Sequence, residues 1–147
     1  MMGLFAKRVA VPASVVAILA AVAVSVPAEG AKPPTVVSAN CHGHNFKPGR
    51  IILACADAGL FVEHLKWKRW GRREAEGSGT GTGKTCNPSC AAGGSRSGPM
   101  EIRLFRTARC AKDGRVHFTR IEYRWDEGSP VAGQPDRGVV PSPCSAV

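Results

Sequence analysis

Hydrophobic and polar positions alternate most clearly near the middle of the chain, where Met100, Ile102 and Leu104 are interleaved with Glu101, Arg103 and Phe105. A period of two sends successive side chains to opposite faces of an extended backbone, so this run predicts a half-buried strand. Lys112, Asp113 and Gly114 then form a hairpin turn signal. Residues 115–125 return as the second limb, with Val116 and Phe118 on one side and His117, Thr119, Ile121, Tyr123 and Trp125 on the other. An earlier hairpin is expected from the apolar, β-branched residues 50–55, a turn at Asp57 and Gly59, and residues 61–70. A helix competes for that second limb, because Phe61, Leu65 and Lys68 would share a face. Aromatic content and the period-two set Phe61, Leu65 and Trp67 favour a strand.

Between the hairpins, residues 71–98 are polar and glycine-rich and read as a long loop. A loop of that length is unusual in a small domain unless something pins it, and Cys86 and Cys90 lie inside it. The flanks carry little apolar periodicity. Residues 29–49, with Pro33, Pro34 and Pro48, are expected to be a flexible arm, and residues 126–147 a Pro/Gly-rich tail. The expected fold is all-β: a small antiparallel sheet of four to six strands, as a sandwich or partly open barrel, stapled by disulfides, with its body over residues 50–125.

The N-terminus sets the compartment. Lys7 and Arg8 precede an apolar run over residues 13–26 that ends in Val26-Pro27-Ala28, the pattern of a secretory signal peptide cut after Ala28. A retained membrane anchor is the alternative, against which stand the short run and Pro12. The expected location is secreted or associated with the cell envelope. Removing residues 1–28 leaves eighteen of the twenty Lys and Arg against all eleven acids, so the chain stays clearly basic. A domain of this size buries only about 60–68% of its unfolded surface and needs reinforcement. Six cysteines in an exported chain supply it, at about 2–4 kcal/mol per bridge.

Six cysteines allow fifteen pairings. Cys41 and Cys144 lie in flanks with nothing else to hold them and are expected to join, tying both ends of the domain. Cys55 and Cys110 stand at strand ends, and Cys86 and Cys90 are each expected to reach one of them. A local Cys86–Cys90 bridge is the alternative, and it would leave the long loop unpinned. A zinc site could combine Cys86 and Cys90 with two of His42, His44 and His117. Exported thiols are more often paired with each other, and no second close cysteine pair completes the pattern, so no metal or other cofactor is expected. Residues 77–85 are reminiscent of a phosphate-binding loop. However, Ser78 stands where glycine is required, no apolar strand precedes, and Pro88 opposes a following helix, so no nucleotide is expected either.

For binding, Lys66, Lys68, Arg69, Arg72 and Arg73 surround Trp67 and Trp70. Such a patch can stack rings and attract anions, or the tryptophans can belong to the core with the cations as its solvated edge. The cations continue through Arg96, Arg103, Arg106, Arg109, Lys112, Arg115, Arg120 and Arg124, which reads as a general positive field. The expected partner is an anionic envelope or extracellular polymer, held by Lys66, Lys68, Arg69, Arg72, Arg73 and Trp70. For catalysis the titratable candidates are His64, His117, Glu63, Glu101, Glu122, Arg120 and Tyr123. A small secreted hydrolase, a nuclease using His117 and Arg120, is the alternative function. Strand alternation puts His117 on the opposite side from Arg120 and Glu122, and no serine sits in a nucleophile-elbow setting, so the balance falls against an enzyme.

Taken together, Ala54-Cys55-Ala56-Asp57, Trp67, Trp70-Gly71, Ala75, Gly77, Gly79, Cys86-x-Pro88-x-Cys90-Ala91-x-Gly93 and Cys110 resemble a pattern in short exported actinobacterial proteins. The resemblance covers roughly residues 48–123. It implies export and a single stapled domain and carries no activity with it; Cys41 and Cys144 fall outside the shared pattern.

Overall fold

A computed structural model of the chain describes residues 31–144, so the signal peptide expected over residues 1–28 lies outside the described residues. Six strands follow one another: β1 (Arg50–Ile52), β2 (Leu60–Trp70), β3 (Ala75–Lys84), β4 (Ser95–Arg109), β5 (Val116–Trp125) and β6 (Arg137–Pro141). Each pairs antiparallel with the next, giving one sheet in sequence order that curls into a half-barrel. The all-β expectation holds, and no helix occurs among the described residues.

The alternation of β4 is realised directly, with Met100, Ile102 and Leu104 buried against Ile121, Tyr123 and Trp125 of β5. In β2 the inward residues are Leu60, Val62, Leu65, Trp67 and Trp70, a series no strict period of two can produce. Two register shifts against β3 explain it: one between Glu63 and Lys66, where His64 takes a φ of 55°, and one between Trp67 and Arg69. Each inserts one extra residue into β2 and moves the following side chains to the other face. Phe61, expected beside Leu65 and Trp67, therefore lies on the outer side, under the Arg50 guanidinium at 4.3 Å from its ring centre.

The expected loop over residues 71–98 is corrected: most of it is β3 and the start of β4. Glycines at 77, 79, 81 and 83 repeat every second residue and form the inner face of β3. At Gly81 a Cβ would fall 2.5 Å from the Met100 methyl and 2.8 Å from the Trp125 ring. The strand has little bulk of its own there because large side chains from other strands lie over it. Only residues 85–94 remain as the β3–β4 connection.

Both flanks are corrected as well. Thr35, Val36, Val37, Ser38 and Ala39 are all buried. The Val36 amide donates to Val116 O (3.0 Å), and the Phe118 amide donates to Val36 O (2.9 Å). Further along, the Ile52 amide donates to Ala39 O (2.8 Å). The segment expected to be a flexible arm thus bonds to β5 beyond the end of β6 and to β1, joining the two sides of the open sheet. The expected tail contributes β6, so ordered structure extends well past residues 50–125 at both ends.

None of the preferred disulfides forms. The bridges are Cys41–Cys55, Cys86–Cys90 and Cys110–Cys144. Register decides the last: β6 runs antiparallel to β5 with Pro141 opposite Arg120, and continuing that pairing carries Cys144 to the level of the β4–β5 turn, which Cys110 opens. The Ala39–Ile52 hydrogen bond brings Cys41 beside Cys55. Cys86 and Cys90 are left with each other, the local alternative.

Candidate functional site

The basic, aromatic patch divides into two parts. Trp67 and Trp70 pack edge to face with ring centres 4.5 Å apart, and Trp70 meets Phe118 in the same way at 5.6 Å. Their indole N–H groups donate to Pro48 O and Thr35 O, each at 2.9 Å, so both rings are anchors for the N-terminal segment. Trp70, expected as a stacking platform, is a core contributor. Arg69 is also spoken for, paired with Glu74 and with Glu76 at 2.9 Å. Lys66, Lys68, Arg72 and Arg73 are exposed and enter no ion pair among the described residues.

Topology then sorts the remaining charge. In an antiparallel meander every second turn lies at the same end, so the β2–β3 and β4–β5 turns are together, joined there by the part of β4 that extends past the Ala75–Leu104 pairing. This end carries Arg72, Arg73, Arg106, Arg109, Lys112 and Arg115, all exposed, against the acids Glu74 and Asp113. Both acids are engaged. Glu74 pairs with Arg69 and Arg103, and the Arg103 hydrogen bond holds its carboxyl below the ordinary range. Asp113 accepts the Arg115 amide and meets two histidines. At the opposite end, the β1–β2 and β5–β6 connections carry Asp57, Asp126, Glu127 and Asp136, and the strand ends beside them carry Lys84, which pairs with Asp57, together with Arg96 and Arg137. The cations are spread over the sheet, as their even spacing along the chain suggests, but the balance is not even. Exposed cations outnumber acids at the pole formed by the β2–β3 and β4–β5 turns, whereas the two signs nearly offset each other at the other end. Alternation of the turns is the signal for this, but it is hidden because the glycine-rich residues 71–98 look like a loop and leave the number of strands, and so the end each turn occupies, undefined.

The outer face between the poles is a lattice of alternating charge in a cavity of about 400 Å³. Arg103 joins Glu74 and Glu122 (3.3 Å to the latter), and Arg124 joins Glu101. The lattice neutralises itself and leaves little net attraction for a ligand.

At the basic pole a second cleft, of about 530 Å³, lies between the residues that follow Cys41 and the β4–β5 turn, with His42, His44, Lys112 and Asp113 in its wall. Asp113 Oδ1 accepts the Arg115 amide at 2.9 Å, a turn bond that lowers the pKa of the carboxyl, with His117 adding to the effect. Its Oδ2 lies 2.8 Å from His117 Nε2 and 3.7 Å from His44 Nδ1. The sulfur of Cys110 is close to Asp113 and His117 but is bonded to Cys144. The zinc set built on Cys86 and Cys90 does not assemble, because those sulfurs are bonded to each other. Two of the histidines considered with them, His44 and His117, do converge, on Asp113, whose sequence context signals only a turn.

The hydrolase candidates are dispersed. His117 is buried at 1% exposure and bonded to Asp113, Arg120 donates to Thr119 O, and Glu122 is held by Arg103. Glu63 lies on β2, three strands away from β5 in the sheet order, and His64 is exposed in the first bulge. Tyr123 is buried, and its burial raises the phenol pKa. No protein-family model matches the chain, and no curated protein or solved structure matches it either.

Proposed function

We propose that the protein is a secreted, non-enzymatic domain that associates with anionic polymers of the cell envelope or extracellular space through its basic pole. The observation that carries this reading is the gathering of Arg72, Arg73, Arg106, Arg109, Lys112 and Arg115 at one end of the sheet, where the nearby acids are already engaged. Exposed cations of this kind make short-lived, non-directional contacts that suit a flexible polyanion better than a small ligand. Trp70 has no part in the contact; Lys66 and Lys68 flank the pole and extend it along β2. Three disulfides agree with an oxidising compartment, where such polymers are met.

Cosedimentation with a purified anionic cell-wall polymer tests the reading. Retention is expected at low ionic strength and loss at about 0.5 M salt, where the screening length shrinks to a few ångströms. Changing Arg72, Arg73, Arg106 and Arg109 to Glu should abolish retention, whereas Asp126→Lys with Glu127→Lys at the far end should not weaken it. Equally negligible binding at both salt concentrations removes the proposed partner.

A further inference from the structure

We infer that the loop after Cys41 and the β4–β5 turn together form a binding site for a divalent first-row transition ion, zinc or copper(II), with His117, Asp113 and His44 as ligands. Two imidazoles and one carboxylate, drawn from segments about seventy residues apart in sequence, meet around a single oxygen, Asp113 Oδ2, at 2.8 and 3.7 Å. Ligands at about 2.0–2.2 Å from a tetrahedral ion stand roughly 3.4 Å from one another. The two separations from Asp113 straddle that value. His44 stands outside the 4.8 Å cluster that Asp113 and His117 form with the bridged Cys110, so its exposed ring must swing inward to complete the set. Imidazole with carboxylate is a donor set that suits zinc and copper(II) rather than calcium or magnesium.

The supports resemble those of a positioned ligand set. Asp113 is oriented by the Arg115 amide on its other oxygen, the outer-shell bond that commonly aims a ligating carboxylate. His117 is 1% exposed on a strand whose neighbour, Phe118, bonds to Val36, so its ring is held in place. Its Nδ1 is buried without a hydrogen-bond partner. Nε2 can take the ion once the imidazole proton moves to Nδ1; that N–H then lacks a protein acceptor, a cost that ion binding must offset. Disulfides fasten both segments, since Cys41 directly precedes His42 and Cys110 opens the turn. The cleft gives the ion its entry, and His42 in its wall offers a further donor of the same chemistry.

The test is calorimetric titration of the disulfide-intact, full-length protein with zinc, repeated with cobalt(II) followed by visible absorption. One ion per chain is expected, with a dissociation constant below about 10 µM. Asp113→Asn and His44→Ala, both on the surface, should each weaken binding at least about tenfold. His64→Ala, in the β2 bulge away from the cleft, should leave it unchanged. The cobalt spectrum should lack intense near-ultraviolet sulfur charge transfer. Three results overturn the inference: no stoichiometric uptake, uptake indifferent to both variants, or uptake that appears only after disulfide reduction and brings sulfur charge transfer, which would make the cysteines the ligands.

Discussion

Gly79 lies opposite the first β2 bulge, and a Cβ there would sit 2.5 Å from the carbonyl oxygen of Glu63. That oxygen is backbone and cannot swing aside as a side-chain tip can. Gly79→Ala should therefore destabilise the fold by about 1–3 kcal/mol, the usual cost of overpacking. Gly49→Ala, at a position with nothing within 4 Å, should be neutral or slightly stabilising because it restricts the unfolded chain. Urea unfolding midpoints of the two variants distinguish these outcomes. At this scale the sequence was partly legible. Glycine every second residue from 77 to 83 is itself a period of two, but with hydrogen in place of an apolar side chain it reads as a loop. The bulk that completes the pattern, Trp125 and Met100, comes from other strands.

At the level of elements, the three disulfides stabilise to different degrees. Their cysteines are 4, 14 and 34 residues apart for Cys86–Cys90, Cys41–Cys55 and Cys110–Cys144 respectively. On the chain-entropy model these closures are worth about 2, 3 and 4 kcal/mol. Paired Cys→Ser substitutions should follow that order in denaturant midpoint, with loss of Cys110–Cys144 the most damaging. Replacing Cys86 and Cys90 should free only the β3–β4 connection and leave the sheet intact. Equal losses at all three would contradict this ranking. The hairpin of β4 and β5 and the strand character of β2 were readable from local alternation, because adjacent residues encode which face is buried. The bulges in β2 were not, since a bulge is defined by the partner strand it slips against.

The whole molecule depends on the segment from Thr35 to Ala39, which closes the half-barrel between β5 and β1. Val37 is completely buried in the core and exchanges backbone hydrogen bonds with Asn45 at 3.0 and 2.8 Å. Val37→Asp would place an unpaired carboxylate among apolar side chains and should cost at least about 3 kcal/mol, visible as a collapse of the cooperative melt. A fold that tolerated this change would mean that the segment is the loose arm its composition suggests. Prolines and the lack of periodicity hid its role, because a single short stretch that plugs a curved sheet needs only three or four apolar residues and no repeat. The same scale produces the charge pole and the meeting of His44 with Asp113 and His117, since both require the ends of the meander to be known.

The sequence by itself determined the all-β class, the central hairpin, the inward positions Met100, Ile102 and Leu104, and the shared face of Ile121, Tyr123 and Trp125, though not that Phe118, assigned to the other side, packs in the same core. All of these follow from the side-chain periodicity of an extended backbone, a property of near neighbours. Only the tertiary structure decided which sulfurs pair, that β3 exists, that the N-terminal segment is core, and that cations outnumber acids at one end of the sheet. Each of these depends on strand register and sheet curvature, and so on pairings between residues that are distant along the chain.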